Sequence, residues 1–282
     1  KLNGNSEVKL AINTYDKLGR LKTKMHHGTS GHKLTYECNI RNWLTQISGI
    51  LFEQNLYYNT GNGSQCYNGN IGSMTWKSGE DGIRGYKFTY DNMSRMKNAI
   101  YGEGTSITPP TGKNFSENVI GYDHNGNITG LQRYGKVSGS TYGKIDDLSL
   151  TYVGNQLNNV TDAATDPLYN GAFNFVDGNK TSIQEYKYDA NGNLLKDLNK
   201  KIIDIQYNFL NLPNRIEFED GSSISYLYDA AGTKLRVVHS IAGNTTTTDY
   251  CGNVIYENGT PKTLLTDAGF VSLNDNKYHY YL

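Results

Sequence analysis

The side chains that perform most enzyme chemistry are few in this chain and poorly spaced for it. His26, His27 and His32, in HHGTSGH, are the densest imidazole cluster. Neighbours on a strand point to opposite faces, so His26 and His27 would not share a metal ion without a turn. No carboxylate or thiol lies close by in sequence, and a solvated loop is the expectation. Asp146–Asp147 and Glu80–Asp81 are carboxylate pairs of the type used in acid–base catalysis, but their glycine-rich or loop-like settings read as surface turns. Cys38, Cys66 and Cys251 are odd in number and far apart, which argues against a disulfide framework or metal knuckle. Buried or half-buried free thiols are expected. The stretch GNGS at 61–64 does not follow a strand and open a helix, so it reads as a loop and not as a phosphate cradle. No catalytic residue, metal ligand or cofactor site is expected.

What does recur is a turn. YDKLGRL begins at Tyr15, YDHNGNI at Tyr122, YDANGNL at Tyr188 and YDAAGTKL at Tyr228. Looser copies begin at Tyr36, Tyr67, Tyr90, Tyr152, Tyr207 and Tyr250, at steps of 19 to 36 residues. Catalysis needs a motif once, whereas repetition along a chain is architecture. The short steps near 20 equal two strands of roughly six to eight residues with two turns. Within each copy the tyrosine ends a strand, and Asp16, Asp91, Asp123, Asp189 or Asp229 accepts backbone N–H groups as an Asx-turn does. Gly19, Gly126, Gly192 or Gly232 supplies a positive φ. Weaker copies place Glu37, Asn68, Val153, Asn208 or Cys251 where aspartate is expected. An EF-hand would need alternating carboxylates and a later glutamate, which are missing.

The elements that must carry these turns are strands. GYKFTYD puts Tyr86, Phe88 and Tyr90 on one face by alternation, and no window shows a capped 3.6-residue stripe. Long steps contain Gly/Ser/Thr/Asn-rich stretches, read as insertion loops near 52–66, 101–118, 132–147 and 162–182. Tyr outnumbers Phe 23 to 8, hydrophobic residues make up only 37% and the mean hydropathy is −0.61. That composition suits an extended, half-wet sheet better than a sphere. Net charge is zero, so the chain as a whole carries no footprint for nucleic acid or an anionic membrane. No apolar run reaches a spanning length. Asn62, Asn127 and Asn258 sit in Asn-x-Ser/Thr sequons, which so Asn-rich a chain produces without meaning.

The repeated Tyr-Asp-x-x-Gly-Asn/Arg-Leu turn resembles the RHS/YD-repeat family, with best agreement at Tyr15–Leu21, Tyr122–Ile128, Tyr188–Leu194 and Tyr228–Gly232. The resemblance covers nearly the whole chain, and its insertions look like those of Bacteroidetes members. It implies antiparallel hairpins spiralling into a β-solenoid shell over residues 1–282, upstream of the autoproteolytic core. The implied role is a non-enzymatic wall that encapsulates or presents a C-terminal, toxin-like domain of a secreted or cell-surface bacterial protein. The implied partner is the rest of its own chain. Neither the core protease nor a toxin activity carries over. The alternative is a cell-surface adhesin or carbohydrate-binding module, with Trp43, Trp76 and tyrosine rows stacking on glycans. Against it, such aromatics at strand ends commonly fill the seam between hairpins.

Overall fold

Alternating β-branched and aromatic residues, interrupted by a turn every few residues, leave the backbone one way to satisfy its polar groups, which is to pair with the next segment. The computed structural model describes residues 6–165, 173–181 and 183–281. It is all-β, with a single three-residue 3₁₀ turn at Ser30–His32 among the described residues. Twelve strands form one antiparallel sheet in chain order: β1 (Ala11–Tyr15), β2 (Leu21–His26), β3 (Lys33–Cys38), β4 (Leu44–Ser48), β5 (Phe52–Tyr57), β6 (Ser73–Ser78), β7 (Arg84–Tyr90), β8 (Met96–Glu103), β9 (Glu117–Tyr122), β10 (Ile128–Lys136), β11 (Tyr142–Val153) and β12 (Gln156–Asp162). Eleven more form a second sheet: β13 (Tyr186–Tyr188), β14 (Leu194–Asp197), β15 (Ile202–Tyr207), β16 (Pro213–Phe218), β17 (Ser223–Tyr228), β18 (Lys234–Ile241), β19 (Asn244–Cys251), β20 (Val254–Glu257), β21 (Thr260–Thr266), β22 (Gly269–Ser272) and β23 (Lys277–Tyr280). No helix among the described residues is long and apolar enough to cross a membrane.

The chain forms two compact units, Lys1–Ser149 with Asp162–Phe175, and Leu150–Thr161 with Val176–Leu282. In the first, Leu34, Ala99, Tyr101, Val119, Ile145 and Leu148 are buried; in the second, Val160, Tyr186, Ile202, Ile205, Val237 and Val271 are. Strict chain order has a simple consequence. Every second connection returns to the same edge of its sheet, so all the Tyr-Asp turns of a sheet line one edge.

Two of the expected insertion loops contain strand. Residues 132–147 form most of the β10–β11 hairpin, paired from Gly130↔Ser149 to Lys136↔Tyr142. Its Gly/Ser/Thr content belongs to a twisted hairpin with a short tip. Residues 52–57 are β5, paired with β6 along its whole length. The 101–118 stretch does leave the sheet, but Ile107 turns back and is fully buried at φ 49°. It plugs the gap above Gly85 and Gly102, which face each other across β7 and β8. A Cβ on Gly102 would stand 2.4 Å from the Ile107 carbonyl carbon. A β-branched residue in the left-handed region costs about 1–2 kcal/mol, and burial of the whole side chain offsets that. The 162–182 stretch lies partly outside the described residues, and its described part carries no strand beyond the end of β12.

Candidate functional site: the turn row and its tyrosine latch

Each Tyr-Asp turn is built the same way. At Asp189, the backbone N–H groups of Asn191 and Asn193 donate to Oδ1 at 2.9 and 2.8 Å, and the Asn193 amide donates to Oδ2 at 2.9 Å. Asp123 repeats this with Asn125 and Asn127 at 2.8–2.9 Å. At Asp16 and Asp91 the residue four positions on is arginine, and its Nε donates to Oδ2 at 2.6 and 2.7 Å. The main chain closes identically: Asp189 N–H donates to the Asn193 carbonyl, and Gly192 N–H to the Asp189 carbonyl. This is a three-residue loop whose last residue is left-handed and whose strands resume with a bulge, Tyr188 opposite Leu194. Gly19, Gly126, Gly192 and Gly232 occupy that position at φ 77–88°, Ser94 takes it at 63° and Asn211 at 57°.

The hydrogen bonds fix the electrostatics. The Asn193 amide holds the Asp189 carboxyl below the ordinary carboxylate value, and the Asn127 amide does the same for Asp123. At Asp16, Asp91 and Asp229 the backbone N–H of Arg20, Arg95 and Thr233 is the leading cause of the same downward shift. These carboxylates are turned into their own loops, and their acceptors are used there.

One weak copy was misplaced by the sequence reading. Glu37 lies inside β3 opposite Gln46 and makes no turn. The turn residue is Asn39, whose Oδ1 accepts from Arg41 and Trp43 at 2.9 and 3.1 Å, with Asn42 left-handed at φ 62°. Searching from the tyrosine put the turn two residues early; the pattern Asn-x-x-Asn-Trp carried the signal. Asn208 does act as aspartate does, accepting from Leu210 and Leu212 at 2.9 and 3.1 Å. At Val153 and Cys251 the connection is shorter, with Gly154 and Gly252 left-handed.

The tyrosines have a role no local pattern shows. Tyr122 Oη donates to the Met96 carbonyl at 2.5 Å, Tyr207 to Leu194 at 2.8 Å and Tyr228 to Pro213 at 3.1 Å. Tyr58 donates to Leu44 at 2.8 Å. Each acceptor is the fifth residue after the Asp or Asn of the preceding turn: Asp91, Asp189, Asn208 and Asn39. Every such hydroxyl thus ties its hairpin to the strand leaving the previous turn. Tyr90 makes the equivalent bond to the Ile71 carbonyl at 2.7 Å, after the Asn68 turn. Burial is the first cause that raises the pKa of all five phenols. Tyr58-Asn59 belongs to the series and was missed, its clue being the YNTGN stretch. Tyr15 is 60% exposed.

Neighbouring turns also touch sideways. Arg20 Nη1 donates to Asn42 Oδ1 at 2.9 Å, Arg41 Nη1 to the Tyr67 carbonyl at 2.7 Å and Asn68 Nδ2 to Ser94 Oγ at 2.9 Å. In the second unit Asn191 and Asn193 both donate to Asn211 Oδ1 at 3.1–3.2 Å.

The other candidates resolve differently. Asp146 is no surface residue: it is fully buried on β11, paired with Arg133 at 2.6 Å and accepting the Phe175 N–H at 2.6 Å. Arg133 Nη2 also donates to the Phe173 carbonyl at 3.1 Å, so the pair holds residues 173–175 against the sheet. Asp147 is mid-strand, bound by Lys144 and Gln132. Glu80 and Asp81 are exposed in a turn. His26 closes β2 and is buried, its pKa pushed down by desolvation, while His27 and His32 are exposed. Cys66 is buried and Cys38 half-buried, but Cys251 is exposed. Trp43 packs on Tyr58 at 4.9 Å, and Trp76 stacks on Tyr86 at 5.6 Å. The second row continues through Tyr101 and Phe115 to Tyr142 and fills a seam between hairpins.

No protein-family profile matches the chain, and no curated protein matches its sequence. Solved structures do. The chain is similar to the TcdB2-TccC3-Cdc42 crystal structure at TM-score 0.58 and 11% identity, covering 93% of this chain and 15% of that one. TcdB2-TccC3-TEV gives 0.53, 11%, 93% and 16%. The Photorhabdus luminescens Tc holotoxin pore, carrying a TccC3 variant, gives 0.52, 12%, 93% and 15%. The chain thus spans about a sixth of the length of the structures it matches. At this identity the likeness is one of fold alone.

Proposed function

We propose that the chain is a non-enzymatic wall segment of an RHS-type shell, which encloses or presents a domain encoded further along the same polypeptide. The tyrosine latch carries this reading. At Tyr58, Tyr90, Tyr122, Tyr207 and Tyr228 it joins a hairpin to the one before it through the main chain, which is what a wall of arbitrary length requires. The likeness to TccC3-containing structures over 93% of the chain supports it. A spiral solenoid course, a toxin-like cargo and a secreted or cell-surface setting belong to the same proposal. The Bacteroidetes-like style of the insertions rests on the sequence alone. For the adhesin reading, Trp43 and Trp76 are half-buried and occupied by tyrosine neighbours, which favours the seam.

The test is limited proteolysis of the parent polypeptide. The domain beyond this segment is expected to resist protease until the wall is unfolded, and to be cut rapidly when expressed alone. Equal cleavage rates in both forms would remove the enclosing role.

A further inference from the structure

Four consecutive turns on the motif edge of the first unit each carry one large apolar side chain into solvent. Leu18 is 73% exposed, Ile40 100%, Tyr67 62% and Met93 71%. The lateral bonds from Arg20 to Asn42, Arg41 to Tyr67 and Asn68 to Ser94 hold those turns in a row. With strands about 4.8 Å apart, alternate connections recur about every 10 Å, so the row runs for roughly 30 Å. Single exposed apolar residues are ordinary on protein surfaces, but a continuous file of them is not.

The charge on the turn tips themselves is one-sided. Lys17 and Arg41 are exposed beside Leu18 and Ile40. The carboxylates of the same turns, Asp16 and Asp91, face inward and are bound by Arg20 and Arg95. The exposed acids Glu80 and Asp81 belong to the connection between β6 and β7, on the opposite edge. A net charge of zero therefore hides turn tips that are apolar and cationic outward, with one exposed acid, Glu37, on β3 behind the Ile40 tip.

We propose that this turn row is an interfacial docking edge for a bilayer with anionic headgroups. Leu18, Ile40, Tyr67 and Met93 enter the boundary between headgroups and acyl chains, while Lys17 and Arg41 meet lipid phosphates and carboxylates. The tips are convex and spaced apart. A folded protein partner would need a separate pocket for each, whereas a fluid bilayer closes around them. The edge lies on the surface of the membrane and spans nothing.

The experiment is co-sedimentation of the 282-residue chain with phosphatidylcholine vesicles containing about one third phosphatidylserine, and with phosphatidylcholine vesicles alone. Preferential binding to the anionic vesicles, weakened by salt, is expected. The triple variant Leu18→Ser/Ile40→Ser/Met93→Ser should lower the partition constant at least about tenfold, since three insertions are lost. Its far-UV circular dichroism should be unchanged, because each substituted side chain is over 70% exposed. Ile50→Ser, 76% exposed on the opposite edge, should bind as the parent does. Absence of binding by the parent chain, equal binding by the triple variant, or an equal loss with Ile50→Ser overturns the proposal. So does a concentration-dependent dimer that the triple variant abolishes, which would assign the row to a second copy of the chain.

Discussion

Asn191–Gly192 and Asn258–Gly259 are the same dipeptide, and each closes a hairpin of the second sheet. In the first, only the glycine is left-handed, at φ 87°, and Asp189 spans the loop with its carboxylate. In the second, Asn258 and Gly259 are both left-handed, at 50° and 78°, and Glu257 pairs directly with Thr260. The Asn258 side chain accepts the Thr247 N–H of the adjoining strand at 2.9 Å and binds nothing within its own loop. The residue two positions before the asparagine decides between them. An aspartate two positions before the asparagine offers acceptors that stabilise a three-residue loop with a bulge; without it the tight two-residue turn prevails. The bulged kind is followed by a strand whose carbonyl receives a tyrosine from the next hairpin, at Leu194 from Tyr207.

The sharpest way to break this comparison is a glycine that the sequence presents as inert. Gly61 was expected to sit in a tolerant loop. It is left-handed at φ 84°, and a Cβ would stand 2.8 Å from Tyr57 Cγ. Gly61→Ala should therefore cost about 2 kcal/mol or more, from backbone strain and overpacking together. The urea midpoint at unchanged slope measures it, and a neutral result would show that left-handed geometry does not govern these turns.

Next come the two dipeptides themselves. Gly192→Ala should cost about 1 kcal/mol, since nothing crowds the new methyl group and only φ is strained. Asn258→Ala should cost a similar ~1 kcal/mol, for its own left-handed φ and its lost acceptor. Asn191→Ala should stay within about 0.5 kcal/mol. If Asn191 and Asn258 respond alike, the two turns are energetically the same and the distinction fails.

Tyr207→Phe removes a latch and leaves the Leu194 carbonyl without it, at an expected cost of about 0.5–1.5 kcal/mol. Tyr250, whose ring is covered by the Lys234 ammonium and whose hydroxyl makes no such bond among the described residues, should tolerate phenylalanine within about 0.5 kcal/mol. Thermal melts of the two variants side by side separate the cases.

The smallest effect is in acid. Asp16, Asp91, Asp123, Asp189 and Asp229 have folded pKa values held below the ordinary one. Their stabilisation is therefore present above about pH 4, the unfolded value, and is lost as pH falls through the folded values. Asp189→Asn keeps an Oδ1 acceptor, as Asn208 does naturally, but has no titrating group. Its acid-unfolding curve should be flatter below about pH 4; an unchanged curve would show that the turn carboxylate is not linked to folding.

The amino-acid sequence by itself determined the turns and the strand class. Asp-x-x-Gly encodes a loop through bonds that span only four residues, so its geometry at Asp16, Asp123, Asp189 and Asp229 needs no distant partner. Alternation in GYKFTYD likewise placed Tyr86 and Phe88 on one face, where their rings stack at 5.9 Å. The tertiary structure decided what depends on groups far apart in the chain. Asp146 reads as a surface acid until β10 brings Arg133 beside it and the 173–175 segment covers it. Residues 132–147 read as a loop because glycine and serine are poor strand formers, yet a neighbour on each side supplies the ladder that propensity lacks. The latch is the clearest case. A tyrosine hydroxyl finds its carbonyl 13 to 26 residues away in sequence, and only the stacking of one hairpin on the next brings them within reach. Local bonds can be read from local residues; a bond that closes across hairpins exists only once the sheet has set its register.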